Sequence, residues 1–127
     1  MATFLLVFSL SADLYAAPGD LDPTFGNGGV VTTRMSVHDN STGITDIEVQ
    51  PDGKFLIAGV VEDYCECGNF LPERVAFIAR YLPTGSLDKS FGKGGKIIFT
   101  LESGEFISEI ALQPDGKIVG VGYKTAV

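Results

Sequence analysis

Two phrases recur in this chain of 127 residues, and they recur in the same order. "GDLDPTFGNGGVV" begins at Gly19 and "GSLDKSFGKGGKI" at Gly85, 66 residues on, with seven of thirteen positions identical. "DIEVQPDGKFLIAG" begins at Asp46 and "EIALQPDGKIVGVG" at Glu109, 63 residues on, with seven of fourteen identical. Two unlike phrases recurring in order make a tandem repeat. A repeat of this length is one supersecondary unit that buries its apolar face by stacking on its neighbours. The difference between 66 and 63 is a three-residue shortening of one connection. Whatever this chain folds into is therefore built of similar modules side by side.

Each phrase has a local physical role. In Gln50-Pro51-Asp52-Gly53-Lys54, proline presets φ at the second turn position, Asp52 tolerates the third, and Gly53 takes the left-handed conformation a bulged hairpin needs. The flanks "ITDIEV" and "KFLIAGVV" are short, apolar and β-branched. The phrase predicts a β-hairpin, and Pro114, Asp115 and Gly116 predict a second. In "LDxxFGxGG", Asp22 and Asp88 can accept backbone N–H groups in Asx-turns, and Gly26 and Gly92 permit positive φ. Leu21, Phe25, Leu87 and Phe91 are apolar pegs for the same loops. Reading "GKGGK" as a phosphate cradle fails, because the spacing is wrong and no helix pattern follows.

Between the phrases, strands are predicted at roughly 29–33, 44–50, 54–61, 75–82, 95–101, 106–113 and 117–123. Sixteen glycines, six prolines and the scarcity of helical patterns agree with an all-β chain. Four antiparallel strands in a repeat of about 65 residues is the signature of a β-propeller blade. The expected fold is a propeller-type repeat with about one complete four-stranded blade and part of a second. Repeat 1 covers about 19–84 and an incomplete repeat 2 about 85–127.

The two phrases together, "GxLDxxFGxGG" and "QPDGKxxxxG", resemble the delta-60 repeat, a bacterial family of propeller-like repeats in exported and surface proteins. The likeness spans residues 19–123 and includes Arg80 in "FIARYLPTGSLD", in the strand before the second LD phrase. The resemblance implies a propeller-like fold and a secreted or cell-surface setting. It implies no established activity, so no functional residues carry over. Fewer than two blades is short of a closed ring. The expectation is the N-terminal piece of a longer protein whose further blades lie elsewhere, or a chain that closes by self-association.

The opening residues read differently. "ATFLLVFSLSA" is an apolar run too short to span a bilayer. With the small residues of "LYAA" after it, it reads as a signal peptide over 1–16, cleaved after Ala16, and residues 17–127 as the repeat segment. No lysine or arginine precedes Arg34, and the alternative is an N-terminal strand of the fold. No cysteine lies near the cleavage point to carry a lipid anchor.

In an up-and-down meander, successive connections alternate between the two ends of the sheet. The QPDGK turns and the 83–95 connection fall at one end. Loops 34–43, 62–74 and 102–105 fall at the other, and these differ between repeats. Repeated loops serve geometry, and unlike loops on a shared scaffold are where recognition is written. The unlike end carries Arg34, His38, Asp39, Glu62, Asp63, Glu66, Glu73, Glu102 and Glu105. His38, Asp39, Glu62, Asp63 and Glu66 are the candidate interaction residues.

In "EDYCECGNFLPER", Cys65 and Cys67 read as a disulfide in an exported protein, with free thiols or a metal site as alternatives. Two sulfur ligands fall short of the usual zinc set, and no calcium-loop pattern is present. The only histidine, His38, sits in the polar stretch "SVHDNSTG" beside Asp39 and Ser41. Sequence neighbours do not converge as a catalytic triad requires. Asn40-Ser41-Thr42 matches a glycosylation sequon, which a bacterial setting leaves without meaning.

A net charge of −7 and a pI near 4.5 argue against nucleic acid and anionic membrane surfaces as partners. No cofactor and no catalytic residue is assigned. The reading is an exported structural or binding scaffold with a protein or carbohydrate partner. The alternative is part of a propeller enzyme or metal-binding protein whose active-site residues lie in other blades.

Overall fold

The computed structural model describes residues 17–35, 39–63, 73–102 and 105–124. These residues form six strands and no helix. The strands are β1 (Asp39–Val49), β2 (Phe55–Asp63), β3 (Glu73–Tyr81), β4 (Lys96–Thr100), β5 (Glu105–Leu112) and β6 (Ile118–Lys124). Strands β1 to β4 make an antiparallel sheet in the order β1-β2-β3-β4, and β5 and β6 make a second, two-stranded sheet. The chain is all-β: one four-stranded meander of the propeller-blade kind, with the first two strands of a second.

The repeated phrases fold alike. At the β1–β2 turn the Gln50 N–H donates to the Lys54 carbonyl at 2.7 Å and the Gly53 N–H to the Gln50 carbonyl at 2.9 Å. At the β5–β6 turn Gln113 and Gly116 make the same two bonds at the same lengths. Gly53 and Gly116 have φ of 80° and 82°, the left-handed region in which an L side chain is strained. The β1–β2 hairpin slips register twice, between Asp39 and Ser41 and between Ile44 and Asp46, and the second slip recurs in β5 between Ile107 and Glu109. Opposite each slip of that recurring pair stands a glycine. A Cβ at Gly59 would meet the Gly43 carbonyl oxygen and the Phe77 ring, and one at Gly122 would meet the Phe106 carbonyl oxygen. The bulge on one strand is accommodated by an absent side chain on the other.

The four-stranded sheet buries residues on both faces, because successive side chains alternate. One face carries Leu56, Ala58, Ala76 and Ile78, which pack with Ile107 and Ile110 of β5. This is the contact between the two sheets, and it is dry: Leu56, Ala58 and Ala76 are fully buried. The opposite face carries Val61, Phe77, Ala79 and Tyr81, and is covered by the segment that includes Val31 and Met35.

That segment departs from expectation. A strand was predicted at 29–33, but the described structure has only a single bridge there, between Asn27 and Val30. Its repeat mate, Lys96–Thr100, is strand β4 and pairs with β3 from Val75 to Ala79. The sequences are alike, and the neighbours decide: β4 lies beside an open strand edge, whereas 29–33 has no strand of that kind beside it. A blade is therefore three strands of one repeat completed by the opening strand of the next, and not four strands of a single repeat. Leu21 follows the same rule. It is 64% exposed, while its mate Leu87 bridges to Tyr81 of β3 and is partly buried.

Candidate functional site

The turns repeated in sequence gather at one end of the blade. Pro51, Asp52 and Gly53 lie in the β1–β2 turn and Pro114, Asp115 and Gly116 in the β5–β6 turn. The two hairpins flank one recess of about 480 Å³. The second LD phrase reaches the same end through Asp88. This carboxylate is 7% exposed and takes bonds on both oxygens. Oδ1 accepts from the Ser90 hydroxyl at 2.6 Å and the Ser90 N–H at 3.1 Å. Oδ2 accepts from Arg80 Nε at 3.0 Å and faces Lys54 Nζ at 3.5 Å. The Ser90 bonds, with Arg80 and Lys54 beside them, hold the Asp88 carboxyl down at about 2. The Arg80 guanidinium also lies over the Phe91 ring, 4.7 Å from its centre.

This cluster ties three parts of the chain together: the β1–β2 turn through Lys54, β3 through Arg80, and the LD loop through Asp88. Both Asp88 oxygens are taken by partners within the chain, and the chemistry of the cluster is that of a clip. In the first LD phrase, Asp22 accepts from the Thr24 N–H at 2.8 Å and the Thr24 hydroxyl at 2.7 Å. Those bonds lower its pKa, and the residue is exposed.

The opposite end is where the connections differ. Asp39 pairs across the sheet with Asp63, and Asp63 with Glu73. Strand ends thus bring Asp39, Glu62, Asp63 and Glu73 to one edge. At the neighbouring sheet, Lys124 Nζ lies 2.7 Å from Glu102 Oε2 and 3.6 Å from Glu105 Oε1. The bond to Lys124 lowers the Glu102 pKa and raises that of Lys124. Besides Arg74, which pairs across the sheet with Glu62, Lys124 is a cation among these acids. The sequence offered no signal for it, because its repeat mate is Val61. Arg34 is exposed, and its carbonyl accepts from Lys96 Nζ at 3.1 Å. His38, Cys65, Glu66 and Cys67 lie outside the described residues, as does the 1–16 segment. Among the described residues no group of three or more His, Cys, Asp or Glu is arranged to hold a metal ion, and no helix is long and apolar enough to cross a membrane.

A third feature was not anticipated. The face covered by residues 25–35 keeps an open apolar cavity of about 440 Å³, lined by Phe25, Val31, Ile44, Ile47, Phe55 and Tyr81 among others. Phe55 stacks on Tyr81, with ring centres 5.1 Å apart and planes 6° from parallel. Ile44 and Ile47 at its rim are 56% and 58% exposed.

Taken together, a four-stranded meander, a matching pair of strands stacked on its face and repeated turns at one end define a protein of the β-propeller class. A family model described as "Domain of unknown function (DUF5122) beta-propeller" matches residues 50–91, from the β1–β2 turn through β3 to the clip at Asp88. Comparison with curated proteins returned no match. No solved structure matches either.

Proposed function

We propose that this protein is an exported propeller scaffold of the delta-60 kind that presents its unlike, acidic loops to a protein or carbohydrate partner. The observation that supports this reading is the division of labour between the two ends of the blade. At the Asp88 clip, Arg80 and Lys54 both turn onto the Asp88 carboxylate and join β3, the β1–β2 turn and the LD loop. The acidic residues Asp39, Glu62, Asp63 and Glu73 meet at strand ends whose connections are not repeated. Export rests on the apolar run before Ala16.

Two measurements test this. A reporter without its own signal, fused behind residues 1–16, is exported and its N-terminal sequence starts at Ala17. A product that stays inside and keeps Met1 removes export from the reading. The mature chain is then screened on glycan and peptide arrays. Binding is lost in the Glu62→Ala, Asp63→Ala, Glu66→Ala triple variant and kept in Asp115→Ala. The opposite pattern would place recognition at the repeated end.

A further inference from the structure

The chain contains one blade-to-blade interface and both halves of another. At the interface already formed, Ile107 and Ile110 are 7% and 4% exposed, seated against Leu56 and Ala58, which are fully buried. The repeat spacing of 63 carries each of these residues to a mate. Ile44 and Ile47 are the mates of Ile107 and Ile110, and stand 56% and 58% exposed. Val119 and Val121 are the mates of Leu56 and Ala58, and stand 42% and 53% exposed, with Tyr123 beside them at 58%. One face is therefore shaped like the part that is received, and the other like the part that receives.

We infer that a second copy of this chain docks head-to-tail, with Val119, Val121 and Tyr123 of one copy against Ile44 and Ile47 of the next. The polar contacts of the internal interface repeat in the same way. There, Asp46 Oδ2 accepts from the Ile110 N–H at 2.8 Å, a bond between the two sheets. Glu109, the mate of Asp46, stands at the same register slip of β5 and is placed to offer a second carboxylate to the Ile47 N–H of the next copy, which in the single chain donates to its own Asp46 Oδ1 at 2.8 Å. A second contact, inside the four-stranded blade, repeats as well: Lys54 lies 3.5 Å from Asp88 across the clip. Its mate Lys117 has a side chain 75% exposed and pairs locally with Asp115, and the mate of Asp88 is the exposed Asp22. Head-to-tail stacking brings Lys117 of one copy to Asp22 of the next, so charge and apolar shape ask for the same arrangement. The cavity beside Ile44 and Ile47 is the recess this contact fills.

Such an interface is heterologous. Each copy offers two unlike faces, and association runs on until a ring closes. This inference concerns assembly and does not depend on export or on the acidic loops.

The test uses the mature chain, with one charged substitution on each face: Ile47→Asp and Val121→Asp. Sedimentation velocity of the wild type shows association that increases with concentration. Each variant alone is a monomer. An equimolar mixture of the two forms a one-to-one complex and nothing larger, because one intact face of each kind remains. Three results would overturn the inference: a wild type monomeric at every concentration, a Val121→Asp protein that still dimerises (pairing like face with like face), or a mixture that stays monomeric. Far-UV circular dichroism confirms that each variant is folded. One that is not is replaced by Ile44→Ser or Tyr123→Ser on the same face, of which the same outcomes are required.

Discussion

Replacing Ile110 by alanine separates the contribution of stacking from that of the hairpin itself. A two-stranded sheet is marginal by itself in water, so β5 and β6 depend on the four-stranded sheet behind them. Ile110 is 4% exposed, and its side chain is enclosed by β2 and β3 residues with little freedom to collapse. Truncating a buried isoleucine to alanine costs about 3 kcal/mol, the transfer of the lost carbons plus the cavity they leave. The Asp46 bond to the Ile110 N–H survives, since it uses the backbone. Native-state hydrogen exchange reads the loss locally. Amides of β5 and β6 lose protection by roughly a hundredfold, the equivalent of that energy, while amides of β2 and β3 change far less. The same substitution at Ile47, 58% exposed in the same repeat position, costs on the order of 1 kcal/mol or below in a dilute monomer. Equal loss of protection across all six strands would refute the reasoning, because it would mean that β5 and β6 are not a docked unit. So would an unchanged β5–β6 pair.

Asp88 makes a pH prediction. Its folded pKa of about 2 is depressed below the unfolded value of about 4, so its contribution is complete above the unfolded value and is lost as pH falls through the folded one. Urea midpoints measured between about pH 5 and about pH 2 therefore fall less steeply in Asp88→Asn than in the wild type, whereas Asp22→Asn at the exposed mate changes the slope less. Gly53→Val places a β-branched residue at φ of 80° with Pro83 Cγ 3.3 Å from the new Cβ. Denaturant melts should show a loss on the order of 1–3 kcal/mol for it. Gly116→Val has the same backbone strain and open space around the new Cβ, and is expected to cost less.

Much of this architecture could be read from the two repeated phrases. Their turns, their strands and the meander follow from proline, aspartate and glycine at fixed offsets, and these depend on nearest neighbours in the chain. What could not be read depends on neighbours in space. Residues 29–33 have the composition of a strand and are not one, because pairing needs an open edge beside them. Asp22 and Asp88 sit in the same phrase, yet only Asp88 is clipped, since Arg80 and Lys54 reach it while the position 66 residues before Arg80 is Leu14. Some of the rest was legible as repetition. Gly59 and Gly122 recur at the end of the hairpin phrase, and Asp46 and Glu109 at its start. The recurrence showed that these positions matter, but the bulge and the bond between sheets that explain it are three-dimensional. For the acidic end, strand pairing collects Asp39, Asp63 and Glu73, which the sequence could group only by alternation of loops.

The borrowing of β4 from the following repeat also sets the order in which the protein can be finished during synthesis. Once Tyr81 has been made, β1, β2 and β3 can pair, but β3 still shows its outer row of N–H and C=O groups to the surroundings. The Arg80 N–H waits for the Gly95 carbonyl and the Arg80 carbonyl for the Asp88 N–H, and the ladder from Val75 to Ala79 waits for Lys96–Thr100. Each blade is thus sealed by the next stretch of the chain to be made. A stalled or proteolysed product ending between Leu82 and Thr100 carries a raw sheet edge, the kind of surface on which foreign strands add and aggregates begin. One ending just after Thr100 has that edge capped, although the truncated chain is only about twenty residues longer at most.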